Sequence, residues 1–166
     1  MMHVIKRGEK FELQKKQREV GSEAPAVKLK MLNNKEKVIG MMADKVQVIM
    51  TLPFSHSLND EINNLIHRYR DKANIYLVSS DIYSYKVNKD YSSMDFESIS
   101  LKLGVYINEK ICAKSIFIIN KDGEIVYKDI LQNIGSDFNT KVFEEALNHA
   151  INFKKKGHTH ENWMSA

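Results

Sequence analysis

The stretch VQVIMTLPFSHSLNDE, residues 46–61, decides the fold. It begins with an almost continuous apolar run from Val46 to Leu52, which is typical of a central strand covered on both faces. Helical spacing of apolar residues begins soon after Pro53, so the stretch predicts a strand, a tight turn and a helix start. Many thiol- and hydroxyl-based enzymes hold their nucleophile at such a junction, because the helix N-terminus stabilises an anion there. This stretch contains no cysteine.

The segments on both sides of the junction predict an α/β chain. Apolar residues at helical spacing predict a helix over residues 60–72, and a second central strand follows at 75–79. Shorter strands are predicted at 3–7, 10–13, 26–31, 36–40, 115–120 and 124–128, the first two joined by a turn at Gly8-Glu9. Further helices are predicted from Tyr91 to Leu103, closed by Gly104, and from Thr140 to about Phe153.

Composition limits the class of protein. A chain of 166 residues with 43% hydrophobic and 28% charged residues fits one globular domain over residues 1–153, followed by a basic, histidine-containing tail at 154–166. Because no apolar run is long enough for a signal peptide or a membrane span, we expect a cytoplasmic protein with no membrane partner. The net charge of +4 is mild and no groove-reading motif accompanies it, so no nucleic-acid partner is expected.

Four segments carry a resemblance to a known family: VGSEAP at 20–25, the junction at 46–57, AKSIFIINKDGEIVY at 113–127 and DILQNI at 129–134. In this order they resemble a peroxiredoxin, and most of all the Tpx-type thiol peroxidases, from about residue 4 to about residue 150. The resemblance implies a thioredoxin-like α/β fold of the peroxiredoxin type with an added N-terminal β-hairpin. It also implies a homodimer and, for an active member, a thioredoxin-type reductant.

The residues that carry peroxidase chemistry in that family are replaced here. Members have Pro-x-x-x-Thr-x-x-Cys at the strand-to-helix junction, and the thiolate attacks peroxide with help from the helix N-terminus and an arginine. Without gaps, Pro53 matches the proline, Ser57 the threonine and Asp60 the cysteine. With one residue deleted in the loop, Asn59 takes the cysteine position. Lys114 stands at the arginine position, where it keeps the charge but loses the planar fork.

The junction is therefore expected to be satisfied internally. Ser57-Leu-Asn-Asp60 predicts a capping box in which the Ser57 hydroxyl accepts from the N–H of Asp60, while Asp60 and Glu61 place negative charge at the positive helix end. The alternative is a residual pocket for a neutral polar ligand. Residues 81–105 contain no resolving cysteine either.

Cys112 and the tail carry the alternative functions. As the one cysteine, Cys112 excludes an intramolecular disulfide. If Cys112 and Lys114 lie in one strand, their side chains share a face, and the cation lowers the thiol pKa; otherwise Cys112 is a small buried hydrophobe. His158 and His160 are two weak candidate metal ligands in the tail.

The leading hypothesis is a Tpx-like protein that has lost peroxide reduction and serves as a binding or structural module, with no cofactor. A thiol peroxidase or redox protein that uses Cys112 is the second hypothesis, and metal binding through the tail is the third.

Overall fold

The structure, a computed structural model, describes residues 2–13, 15–54, 57–82 and 87–153. Its strands are β1 (His3–Lys6), β2 (Glu9–Glu12), β3 (Val27–Lys30), β4 (Glu36–Ile39), β5 (Val46–Leu52), β6 (Ala73–Ser79), β7 (Ser92–Ser93), β8 (Tyr106–Asn108), β9 (Ile111–Cys112), β10 (Ser115–Ile119) and β11 (Ile125–Ile130). Its helices are α1 (Asp60–Tyr69), α2 (Phe96–Leu103) and α3 (Thr140–Asn152).

A five-stranded sheet in the order β11-β10-β5-β6-β7 forms the centre of the structure. Strands β5, β6 and β7 are parallel, whereas β10 runs antiparallel to both β5 and β11. Three antiparallel pairs, β1-β2, β3-β4 and β8-β9, surround this sheet. All seven residues of β5 are buried, as the continuous apolar run predicts for a central strand.

Each face of the sheet has its own hydrophobic core, because side chains alternate along the strands. On one face, Ile49 and Phe117 pack with residues of β3, β4, α2 and the β8-β9 pair. On the other face, Val48 and Ile116 pack with the apolar stripe of α1 and with α3. The predicted stripe of α1 is confirmed, since Ile62, Leu65, Ile66 and Tyr69 are its buried residues.

Several predicted boundaries are wrong for identifiable reasons. The first hairpin turns at Arg7-Gly8, both with positive φ, and not at Gly8-Glu9. The helix predicted from Tyr91 begins at Phe96, because Ser92 and Ser93 pair with β6 as an edge strand. Sequence patterns also missed the β8-β9 pair, whose strands are only three and two residues long.

Gly104 ends α2 as predicted, in the left-handed conformation with φ of 81°. A Cβ at this position would lie 2.3 Å from the backbone oxygen of Lys16, so the position needs glycine for space as well as for conformation. Within the described residues, no helix is long and apolar enough to cross a membrane.

Candidate functional site

The strand-to-helix junction is satisfied internally, although not by the predicted capping residue. Asn59 is the N-cap of α1, and its Oδ1 accepts a hydrogen bond from the N–H of Ile62 at 3.0 Å. Ser57 lies two residues earlier, where its Oγ accepts from the N–H of Phe54 at 3.2 Å. The predicted Ser57–Asp60 capping box is therefore wrong, because the helix begins at Asp60 and its cap must be the residue before it.

Asn59→Ala tests the assignment of the cap. The variant is expected to lose about 1 kcal/mol of unfolding free energy, because the N–H of Ile62 loses its side-chain acceptor. Urea denaturation measures the loss. Asn139→Ala is the matched control, because Asn139 caps α3 in the same way with a 3.1 Å bond from the N–H of Val142. A loss in Asn139→Ala but none in Asn59→Ala would contradict the role given to Asn59.

Lys114 links the junction to a second loop. Its side chain is only 3% exposed, and its Nζ donates to the backbone oxygens of Ser57 and Ser136, each at 2.7 Å. The same Nζ lies 3.8 Å from a carboxylate oxygen of Asp137 and 5.3 Å from the ring centre of Phe138. The sequence prediction placed Ser57 and Lys114 in one site, and the structure joins them by a direct hydrogen bond.

Burial dominates the electrostatics of this ammonium group. It lowers the pKa of Lys114 below its usual value, and the Asp137 carboxylate opposes that change in part. Because Nζ already donates to two carbonyl oxygens, much of its donor capacity is used within the fold. Lys114 therefore acts as a clamp between two loops.

Two buried hydroxyls, near the end of β5 and at the start of β10, are also occupied. Thr51 and Ser115 face each other across β5 and β10 and share a hydrogen bond between their side chains. The Thr51 hydroxyl donates to the backbone oxygen of Ala113 at 2.9 Å. Both hydroxyls are therefore used in hydrogen bonds within the fold.

Cys112 lies away from this clamp, in the core of the opposite side of the sheet. Its side chain is fully buried, and its Sγ lies 3.5 Å from the backbone oxygen of Leu52 as a weak donor. Burial raises the pKa of the thiol to about 12, and the hydroxyls of Ser100 and Thr51 oppose the rise in part. Of the two interpretations of Cys112, the structure fits the small buried hydrophobe. The condition for the other interpretation is not met, because β9 ends at Cys112 and β10 begins at Ser115, so Cys112 and Lys114 do not share a strand.

The histidines of the third hypothesis, His158 and His160, lie outside the described residues. Among the residues that are described, no group of three or more histidine, cysteine, aspartate or glutamate side chains is placed to hold a metal ion.

A cavity of about 340 Å³ opens at the carboxyl ends of β5 and β6, and sequence patterns did not predict it as a whole. Of the predicted site residues, only Pro53 lines it; Ser57, Asn59, Asp60 and Lys114 do not. A usable signal was present, because Pro53-Phe54 and Ser80-Asp81 directly follow two parallel strands, and ligands bind at such strand ends in α/β sheets. Its lining residues are Lys6, Phe11, Pro53, Phe54, Ser80, Asp81, Phe96, Asn108, Glu109, Lys110 and Ile111.

Known proteins resemble this chain in sequence and in fold. No model of a known protein family matches the chain. The sequence is 26% identical over 146 residues to a thiol peroxidase of Aquifex aeolicus, covering 78% of this chain and 85% of that protein. The chain is therefore similar in sequence to a thiol peroxidase. A peroxiredoxin-like protein from Aquifex aeolicus has a similar structure, with a TM-score of 0.71 and 23% identity over 89% of this chain and 97% of that one.

A second solved structure supports the fold. The thiol peroxidase from Chromobacterium violaceum matches with a TM-score of 0.71 at 14% identity, covering 89% of this chain and 96% of that one. The predicted thioredoxin-like α/β fold with an added N-terminal hairpin, here β1-β2, is therefore confirmed. The chain has one cysteine, and that cysteine is Cys112 in β9.

Proposed function

We propose that this chain is a thiol peroxidase homologue that has lost peroxide-reducing activity and serves as a binding or structural module. One observation carries the proposal: the position of the attacking thiol is held by Asn59 or Asp60, and the side chain of Asn59 caps α1. An amide that accepts a backbone hydrogen bond is not a nucleophile toward peroxide. Peroxide reduction in this family needs a thiolate at that place.

The surroundings of the junction support the same proposal. Asp60 and Glu61 occupy the first turn of α1, where their negative charge opposes the binding of a second anion. Lys114 occupies the position of the family arginine, but its Nζ donates to the carbonyl oxygens of Ser57 and Ser136. A cation whose hydrogen bonds are used in this way is poorly placed to orient a peroxide.

The burial of Cys112 argues against the hypothesis that this thiol has replaced the lost one. A peroxidatic cysteine must ionise near neutral pH and must meet its substrate. Cys112 is fully buried, and burial raises its pKa to about 12. A thioredoxin-type reductant belongs to that hypothesis alone and has no role in a module without redox chemistry.

In the remaining parts of the proposal, the homodimer follows the family resemblance, and the other statements follow from composition and charge. The module is a cytoplasmic homodimer that needs no cofactor, with residues 1–153 as one domain and residues 154–166 as a basic tail. Membranes and nucleic acids are not its partners. The proposal gives the tail no catalytic part.

Purified protein is expected to consume neither hydrogen peroxide nor cumene hydroperoxide above the rate of the buffer, with dithiothreitol or a thioredoxin system as reductant. The physical reason is the absence of an ionisable, accessible thiol. A peroxide assay with and without Cys112→Ser measures this, and the two proteins should give the same baseline rate. Robust turnover that Cys112→Ser abolishes would overturn the proposed function and support the Cys112 peroxidase.

A further inference from the structure

The cavity at the carboxyl ends of β5 and β6 has the size and place of a ligand site. Its volume of about 340 Å³ lies within the range of small-molecule pockets. Four structural parts form its walls: Lys6 and Phe11 of the N-terminal hairpin, the strand-end residues at 53–54 and 80–81, Phe96 at the start of α2, and residues 108–111 of the β8-β9 pair. The hydroxyl of Ser80 donates to the backbone oxygen of Pro53 at 3.4 Å, which joins the two strand ends.

Both signs of charge line this cavity. Lys6 and Lys110 carry ammonium groups, and Asp81 and Glu109 carry carboxylates. The ion pairs found within the described part of the chain involve other residues, namely Arg68 with Glu144, Lys114 with Asp137 and Lys128 with Glu19. The charges that line the cavity therefore form no ion pair with one another within 4 Å.

The cavity also has an apolar surface. Phe11, Phe54 and Phe96 line the cavity. The Nζ of Lys6 lies 5.8 Å from the centre of the Phe54 ring, a cation–π distance that holds the ammonium group over the aromatic surface. Lys6 and Asp81 are both half-buried, whereas Glu109 and Lys110 are exposed at the rim.

We propose that this cavity binds a small zwitterion with an apolar side chain, of the α-amino-acid type. The carboxylate of the ligand pairs with Lys6, its ammonium group pairs with Asp81, and its side chain packs on the phenylalanine rings. Opposite charges on one small ligand match opposite charges that the fold keeps apart, and charge-assisted hydrogen bonds of this kind are the strong ones. A simple anion or cation would leave one half of the charge pattern without a partner.

The proposal rests on the proposed function, because it gives the binding module a class of ligand. It uses different residues, however, since Ser57, Asn59 and Lys114 do not line the cavity. The peroxide assay and the ligand titration therefore test the two proposals independently. Peroxide turnover would overturn the loss of activity, and an absent titration signal would overturn the ligand class.

Isothermal titration calorimetry with L-phenylalanine tests the proposal on the full chain. L-Phenylalanine is expected to bind, whereas 3-phenylpropionate, which lacks the ammonium group, and phenethylamine, which lacks the carboxylate, are expected to bind at least about tenfold more weakly. Equal affinity for all three compounds would overturn the zwitterion. If L-phenylalanine gives no heat of binding at concentrations up to about 10 mM, the proposed site itself is overturned, because a specific site binds its ligand with a lower dissociation constant than this.

Variants of Lys6 and Asp81 test which residue binds each charged group of the ligand. Lys6→Met and Asp81→Asn are each expected to raise the dissociation constant for L-phenylalanine about tenfold or more. Lys10→Met and Asp71→Asn are the matched controls, because both residues are exposed and neither lines the cavity. Equal affinity in all four variants would overturn the assignment. Amide NMR shifts in the unsubstituted protein give a second measurement, since saturation with L-phenylalanine should shift the amides of Phe54 and of residues 80–81 and 108–111 first.

Discussion

Lys114→Met is expected to lower the free energy of unfolding by roughly 2–3 kcal/mol, as measured by urea denaturation. Methionine keeps the length and apolar stem of the side chain, so the core around it stays filled. What disappears is the ammonium group, which leaves the backbone oxygens of Ser57 and Ser136 without their donor. Hydrogen bonds from a charged donor contribute about 1.5–3 kcal/mol each, and partial hydration of the freed oxygens reduces the sum.

Lys128→Met is the matched control for this loss. The Nζ of Lys128 also donates to a backbone oxygen, that of Arg18 at 2.9 Å, but its side chain is 26% exposed and Nζ makes one such bond instead of two. We expect a loss of less than about 1 kcal/mol in this variant, because water replaces the bond. Equal losses in the two variants, or no loss in Lys114→Met, would show that the clamp does not stabilise the fold.

The pH dependence of the same variant has a defined sign. Burial lowers the pKa of Lys114 in the folded protein, whereas the unfolded chain keeps the proton up to about 10.5. Between the lowered pKa and 10.5, the unfolded state binds more protons, so the stability of the unsubstituted protein rises with pH relative to Lys114→Met. Denaturation of both proteins from pH 7 to pH 10 measures this difference. A difference that shrinks as the pH rises would contradict the lowered pKa.

Local pattern was sufficient to predict the scaffold of the site. The almost continuous apolar run from Val46 to Leu52 predicts a buried central strand, because a strand covered on both faces carries apolar side chains toward both. The stripe of Ile62, Leu65 and Ile66 predicts the buried face of α1, because apolar residues at this spacing lie on one side of a helix. Both features depend on neighbours within a few residues, which the sequence presents directly.

The chemistry of the site depends on contacts between distant residues, and pattern did not predict it. The capping residue of α1 is fixed by where the helix starts, and the choice between Ser57 and Asn59 depends on the path of the loop after Pro53. The clamp of Lys114 joins residues 57 and 136, which lie far apart in the chain. The cavity likewise needs the hairpin that carries Lys6 to meet the end of β6.

The thiol of Cys112 is expected to react with the disulfide reagent DTNB at pH 8 at least about a thousandfold more slowly in the folded protein than in the unfolded protein. Burial raises its pKa from 9.0 to about 12, and three pKa units lower the thiolate fraction about a thousandfold. Steric protection adds to this factor, because the side chain is fully buried. Stopped-flow absorbance, with and without urea, measures both rates.

Lys35→Cys in a Cys112→Ala background supplies an exposed reference thiol on the same fold, since Lys35 lies in the exposed turn between β3 and β4. This thiol should react at the same rate with and without urea. Folded protein whose Cys112 reacts as fast as the reference would contradict the buried thiol and reopen the Cys112 peroxidase.

Stability gives an independent measure of the same pKa. Between pH 9.0 and about 12 the folded state holds a thiol proton that the unfolded chain has lost. The stabilisation is therefore complete below pH 9.0 and is lost as the pH rises toward 12, the opposite sign from Lys114. Relative to Cys112→Ala, the unsubstituted protein should lose stability from pH 9 upward. A constant difference across that range would mean that Cys112 ionises equally in both states, and a thiol that does so is not held in the core.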